Sequence, residues 1–423
     1  MLRRTVMMLM VAVALWAADS QVEECFQAGI AAIKRNDLPG AQAKLEEAVR
    51  LDPKHVGSWL LLAQTYAKLQ KPDSALEAAR KAEALAGDDP DILQALANLY
   101  SGLIPDPVKA ATLGAHYAER RPQDRTAWRR LTAFCVQSGQ MECAIQAGTR
   151  GLKDDNSAAL HGLLGQAYAA RKQWVEARQE FAEAVKLNPY DDDLHFRLAQ
   201  VYLLQEDWPG AVRVLENARQ YFDKSPQIEL ALGVAWYGQR EFEKAVDQFL
   251  RTIRLAPDVV QPYLFLGRIT EHAGDRLGEM AAAFTAFQER NPNQPLGYVL
   301  RAKAMIAQLP AGSDARQAQP ALELLQRALS LKEDDAEAHY LAGLVLERQG
   351  EFAKAAAHLE RSIALNTGDP APHYRLARVY AQLGRKQDAE RERALHEKLS
   401  NEVTVSQPLG MPAAIPKAPG TGK

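Results

Sequence analysis

This sequence has little of what most enzymes and nucleic-acid-binding proteins carry. Aromatic residues make up 7% of its 423 positions and cysteine occurs 3 times. Three cysteines without close paired spacing do not make a zinc site. The formal net charge is −2 at pH 7, which leaves no electrostatic footprint for nucleic acid. There is no Gly-rich phosphate loop, no His-Glu-x-x-His and no Gly-x-Ser-x-Gly, so nucleotide, zincin and serine-hydrolase chemistry are not indicated. Acidic runs such as Asp154-Asp155 and Glu333-Asp334-Asp335 fall where helices would begin, and they favour turns and helix N-termini. Direct catalysis is not expected, and neither a cofactor nor a metal is called for.

What the chain has instead is a beat of roughly 34 residues. One copy reads Leu164-Gly165-x-x-Tyr168, then Ala177, Phe181, Ala184 and Pro189. Another reads Leu232-Gly233-x-x-Trp236, then Ala245, Phe249 and Pro257, and the copy between them carries Leu198-Ala199-x-x-Tyr202, Ala211 and Ala218. The first cluster places an apolar stripe on one helix, and the second places a stripe on the next. Small residues let the two helices approach, large ones fill the space, and the proline closes the second helix. Each unit therefore reads as a helix-turn-helix hairpin whose apolar faces need neighbours. No strand is expected.

The pattern resembles the tetratricopeptide repeat family, whose signature has Trp, Leu-Gly, Tyr, Ala, Phe and Pro at these offsets. The resemblance implies an all-α fold, an α-solenoid forming a right-handed superhelix of about eleven repeats between residues 22 and 402. Units are expected to begin near Val22, Val56, Pro90, Arg125, Ala158, Asp192, Pro226, Val260, Pro295, Ala336 and Pro370. The third unit departs from the pattern, with Ile104-Pro105-Asp106-Pro107 at its turn. The ninth carries roughly seven extra residues around Leu309–Pro320, expected as a loop.

The ends differ from the array. Arg3 and Arg4 precede an apolar run from Val6 to Ala18, which reads as a signal peptide over residues 1–18. Its length of about thirteen apolar residues is short for a membrane span. Export to the periplasm or the outside is expected, the alternative being a membrane anchor made by the uncleaved segment. Residues 403–423, rich in Pro, Gly and Ala, read as a disordered tail. In an oxidising compartment Cys135 and Cys143, flanking one tight turn, are candidates for a disulfide; otherwise both are small packing residues. His161 and His195, and likewise His339 and His373, stand one period apart. Equivalent places on neighbouring repeats lie too far apart to share one ion, so these are expected to be helix-surface imidazoles. Trp174 and Trp208 are expected in turns as packing caps rather than sugar platforms.

The resemblance also implies that first helices line a concave groove that holds protein partners or extended peptides. The partner-binding positions expected there are Gln64, Asn98, Arg129, Gln166, Phe196 and Gln200, followed by Arg268, Lys303, Tyr340, Tyr374, Arg375 and Arg378. The middle units offer amides that can bond a peptide backbone in either sense. The later ones set cations beside tyrosines, a place for an acidic or aromatic segment. Some family members clamp chaperone carboxylates with Lys and Asn. Here the corresponding early positions are Phe26, Ile30, Leu60 and Gln64, so that clamp is absent. A non-enzymatic exported scaffold is the expected function, with envelope assembly, secretion or polysaccharide export as its candidate settings. The alternative is an accessory subunit that presents substrate or a catalytic partner to an enzyme.

Overall fold

A computed structural model describes residues 20–310 and 315–406 of the chain. Residues 1–18, expected as a signal peptide, and the greater part of residues 403–423, expected as a disordered tail, lie outside the described residues. Among those described there is no strand, and helices follow one another in antiparallel pairs. The chain divides into two compact units, ending and beginning at Leu194 and His195. The first holds a helix over 20–34 with Leu38–Leu51, then Val56–Lys68 with Pro72–Leu85 and Pro90–Ser101 with Pro107–Arg120. Ala127–Gln137 with Met141–Gly151 and Ala158–Ala170 with Trp174–Leu187 complete it. The boundary falls in the first turn of Asp192–Leu204, which pairs with Trp208–Tyr221. The second unit continues with Pro226–Gly238 and Phe242–Leu255, then Gln261–Ile269 and Leu277–Arg290. Its last pairs are Pro295–Gln308 with Gln319–Leu331, Ala336–Arg348 with Phe352–Leu365, and Pro370–Gln382 with Lys386–Ser406. Each unit is a run of α-solenoid.

The helix boundaries have local causes. Proline stands in the first turn of Pro72–Leu85, Pro90–Ser101, Pro226–Gly238, Pro295–Gln308 and Pro370–Gln382, where its missing N–H would be unpaired in any case. Asp37, Ser157, Ser225 and Asp335 accept backbone N–H groups as N-caps. Inside most hairpins one residue takes a positive φ: Asn36, Gln70, Gly139, Lys172, Glu206 and Arg240, and then Gly350 and Gly384. The next residue's N–H turns back onto the helix, as from Lys71 to the Tyr66 carbonyl at 2.9 Å and from Arg385 to Tyr380 at 2.9 Å. With Gln70 N–H bonded to the Ala67 carbonyl at 3.1 Å, this is the Schellman closure of a helix C-terminus.

Packing within a pair rests on glycine against a large side chain. A Cβ added at Gly165 would lie 2.8 Å from Phe181, and one at Gly343 would lie 2.7 Å from Leu359. Tyr66 and Tyr380 donate their hydroxyls to Glu46 at 2.7 Å and Glu360 at 2.6 Å. Burial first, and then the facing carboxylate, pushes both phenols up to about 12.

Several local expectations are corrected. The extra residues of the ninth unit are not a loop to their end: Ala315–Ala318 is a 3-10 turn, and Gln319 and Pro320 already belong to a helix. Trp174 and Trp208 open second helices rather than sitting in turns. Trp208 packs under Gly238, whose added Cβ would lie 2.4 Å from its ring. The eighth unit holds a break that the repeat pattern did not announce. Its first helix stops at Ile269 and continues as two 3-10 turns, Thr270–His272 and Gly274–Arg276.

The histidines are the largest correction. His161, His195 and His373 are buried, not on helix surfaces. His161 Nδ1 bonds Glu180 at 2.7 Å and His373 Nδ1 bonds Glu392 at 2.6 Å. His195 lies edge-on to Phe222, with ring centroids 5.8 Å apart. His339 is half-buried against His358. A ring that finds an acceptor on the facing helix can be buried at small cost, and position within a single helix does not reveal that acceptor.

Candidate binding cleft

The second unit contains a cleft of about 530 Å³. It runs along Ala336–Arg348, where Ala336, Tyr340, Leu344 and Arg348 recur at four-residue intervals and so share one helix face. Twelve residues of rise make that face about 18 Å long, the span of about five extended peptide residues. Ile306, Leu341 and Leu344 give it an apolar floor, each nearly inaccessible to solvent. Its rim is polar, with Lys303 on one side and Arg375 on the other. Both breaks in the repeat pattern reach it: Thr270 and Glu271 from the 3-10 segment, and Leu309 from the start of the extra residues.

The charges on the rim are partly spoken for. Lys303 Nζ is 2.6 Å from Glu337. Arg375 and Arg378 share Glu347, at 3.7 Å and 3.3 Å, and both lie over the Tyr374 ring. Arg348 and Glu271 line the same cleft, and neither has an ion pair or hydrogen bond among the described residues. The Tyr340 hydroxyl is likewise unengaged. An accessible guanidinium, a carboxylate, a phenol and an apolar floor can take a peptide's side chains and backbone together. They supply no nucleophile paired with a base.

Of the residues expected to bind a partner, the structure therefore gathers Lys303, Tyr340 and Arg375 at one place. Arg378 and Tyr374 stand just behind Arg375, and exposed Arg268 lies over Phe265 at 5.8 Å. Gln200 is half-buried elsewhere in the same unit. Phe196 does not line this cleft: it is 6% exposed and packed in the core with Ala199, Leu203 and Leu230. Gln64, Asn98, Arg129 and Gln166 belong to the first unit. Asn98 is exposed there, while Arg129 is engaged by Asp155 at 3.3 Å and Ser157 at 3.3 Å. Sequence reasoning missed Arg348 and Glu271. Arg348 was within reach, since continuing the stripe from Tyr340 and Leu344 by one more turn arrives at it. Glu271 was not, because it depends on the helix break after Ile269.

Cys135 and Cys143 are joined as a disulfide, with Cα atoms 5.8 Å apart, and Cys25 is a buried free thiol. Among the described residues no group of three or more His, Cys, Asp or Glu side chains is placed to hold a metal ion. No described helix is long and apolar enough to cross a membrane.

Family comparisons agree with this architecture. One model described as tetratricopeptide repeat matches residues 26–90 and 196–260, and a second of the same description matches 168–216. Residues 314–392 match a model described as anaphase-promoting complex, cyclosome, subunit 3. Among solved structures, a tetratricopeptide repeat protein from Parabacteroides merdae is 18% identical, with 58% of this chain and 98% of that one covered and a TM-score of 0.42. PilW, a type IV pilus biogenesis factor, is 18% identical over 50% of this chain and 98% of its own, with a TM-score of 0.40. Yeast Tom70 is 14% identical over 90% and 92%, with a TM-score of 0.38.

Proposed function

This chain belongs to the tetratricopeptide repeat family, and from that premise we propose that it is a non-catalytic scaffold that grips an extended segment of a protein partner in the cleft along Ala336–Arg348. The observation that carries the reading is the cleft itself. Its apolar floor lies under a rim where Arg348, Glu271 and the Tyr340 hydroxyl have no ion pair or hydrogen bond among the described residues. Buried apolar contact would supply affinity, and the unengaged polar groups would fix the direction of the bound segment. The basic start and apolar run of residues 1–18 support export. A place in envelope assembly, secretion or polysaccharide export fits an exported scaffold, and presenting a partner to an enzyme is the second reading.

A photo-crosslinking amino acid at Tyr340 tests the cleft directly. The same probe at Tyr190, which is 76% exposed in the first unit, controls for random collision. Crosslinks from position 340 to one protein, concentrated within a few consecutive residues of it, are the expected result. Equal labelling from both positions would overturn the assignment.

A further inference from the structure

We propose that the His339–His358 pair makes the helix pair forming the cleft sensitive to acid: a second proton taken up there separates Ala336–Arg348 from Phe352–Leu365 and opens the cleft wall. The consequence for binding rests on the cleft reading above; the device itself rests on geometry. The two Nδ1 atoms are 3.0 Å apart, with ring centroids at 5.1 Å. His339 Nε2 lies 2.9 Å from the Glu333 carbonyl oxygen, which can only accept, so this nitrogen carries a proton. In the neutral ring Nδ1 of His339 is then the acceptor, and His358 Nδ1–H donates to it. A single shared proton joins the helices. One proton added to the pair leaves a single N–H between the rings, because the neutral ring can carry its own proton on Nε2; the second charge sets N–H against N–H and imidazolium against imidazolium, and the bond is lost.

The same place in two other helix pairs is filled differently. His161 meets Glu180 and His373 meets Glu392, and in all three cases the partner stands 19 residues on. A carboxylate accepts from an imidazolium as readily as from a neutral ring, so acid leaves those two bonds in place until the carboxylate itself is protonated. Of these three pairs, only the one at His339 sets two bases face to face.

Two carboxylates beside the pair, and the next histidine in the array, already have partners of their own. On the connection before Ala336, Asp334 is held by Arg361 and Asp335 by Lys332 at 3.2 Å. On Pro370–Gln382, His373 is held by Glu392. Burial first, and then the charge of His339, holds the His358 ring below its ordinary value of 6.5. The unfolded helix pair therefore binds its proton before the folded one does. Stability from this site is complete above about pH 6.5 and falls as pH drops from there toward the depressed folded value.

The coupling to the cleft is short. His358, Ser362 and Asn366 recur at four-residue intervals along the second helix and its cap, and the last two line the cleft. Ser362 Oγ donates to the Ala336 carbonyl at 2.8 Å, tying the two helices one turn from the histidines.

Hydrogen exchange of the full-length chain at pH 7.5 and 5.5, corrected for intrinsic rates, tests the proposal without any ligand. The wild type should lose at least tenfold protection over residues 336–365 at pH 5.5 relative to residues 56–85. His358→Glu, which installs the acceptor found in the other two pairs, should keep that protection. His358→Gln, which cannot titrate, should keep it too, and decides the matter if the Glu variant fails to fold at pH 7.5. Unchanged protection in the wild type, or the same acid loss in the variants, would overturn the proposal. Such a failure would leave the crosslinking result at Tyr340 standing, and a failed crosslink would leave this one.

Discussion

Gly233→Ala sets helix propensity against packing, and the structure says which wins. Gly233 lies inside Pro226–Gly238, where alanine is the better helix former by about 1 kcal/mol. Its new Cβ would stand 2.5 Å from Phe249 Cε1 and 2.6 Å from Cδ1. Phe249 is fully buried and stacks on Phe265, with centroids 5.0 Å apart and planes at 10°, so the ring has nowhere to retreat. Overpacking of this kind costs about 1–3 kcal/mol, and overlap with a closed ring belongs at the upper end. About 3 less about 1 leaves a net loss of about 2 kcal/mol. Gly278→Ala is the control, since its Cβ would meet nothing within 4 Å on Leu277–Arg290. It should be neutral or stabilising by up to about 1 kcal/mol. Guanidinium unfolding followed by helicity reads both as midpoint shifts of opposite sign. Adding Phe249→Leu should recover part of the Gly233→Ala loss, a coupling that independent sites would not show. A stabilised Gly233→Ala, or strictly additive single variants, would refute the packing argument.

The remaining predictions concern the turns, the core and the disulfide. Arg240→Gly relieves a positive φ of 61° and should stabilise by about 0.5–1 kcal/mol, whereas Gly350→Ala, with open space around its Cβ, should cost about 1–2 kcal/mol from backbone strain alone; denaturant midpoints check both. Phe181→Ala empties a site that is 2% exposed and should cost about 3–5 kcal/mol. Tyr66→Ala, at a half-buried ring, should cost about 2 kcal/mol, and equal losses for the two would contradict the burial difference. Reducing the Cys135–Cys143 bond, with a sequence separation of 8, should lower stability by about 2–3 kcal/mol, read as the difference between unfolding curves with and without reductant.

The fold was legible because a solenoid repeats its own instructions. Leu-Gly-x-x-Tyr and its counterparts recur with the same spacing, and each copy corroborates the others. Residues that act across the hairpin were harder to read. Glu180 and Glu392 decide the fate of His161 and His373, yet each stands on the facing helix, where single-helix periodicity has no view. Phe196 shows the converse: its helix position matches that of Tyr340, but in its own repeat it packs into the apolar core. The break at Thr270 depends on where one helix stops, and the sequence there offers only Gly274 as a signal. The cleft needs both that break and the extra residues beginning at Leu309, so it becomes visible only when the two are brought together in space.

The basic stripe also behaves differently from a row of free cations, which decides how it should be probed. Removing Arg268, Lys303 and Arg378 together would be expected to weaken an acidic partner in a salt-dependent way. Lys303 and Arg378, however, each face a carboxylate already. The Glu347 side chain is 9% exposed, its Oε2 lacks a hydrogen bond, and without Arg378 only Arg375 at 3.7 Å would remain to balance it. Arg378→Ala therefore strands a largely buried charge and should cost stability before it reports on binding. Arg348 has no such partner among the described residues, so Arg348→Ala should leave the unfolding midpoint within about 0.5 kcal/mol of wild type. Against the peptide segment mapped by the Tyr340 crosslink, the same change should raise Kd about tenfold at low salt, with the difference shrinking as salt is added. Tenfold weaker binding from Arg378→Ala with unchanged stability, alongside no effect from Arg348→Ala, would move the site away from the cleft and onto the face that carries Tyr374.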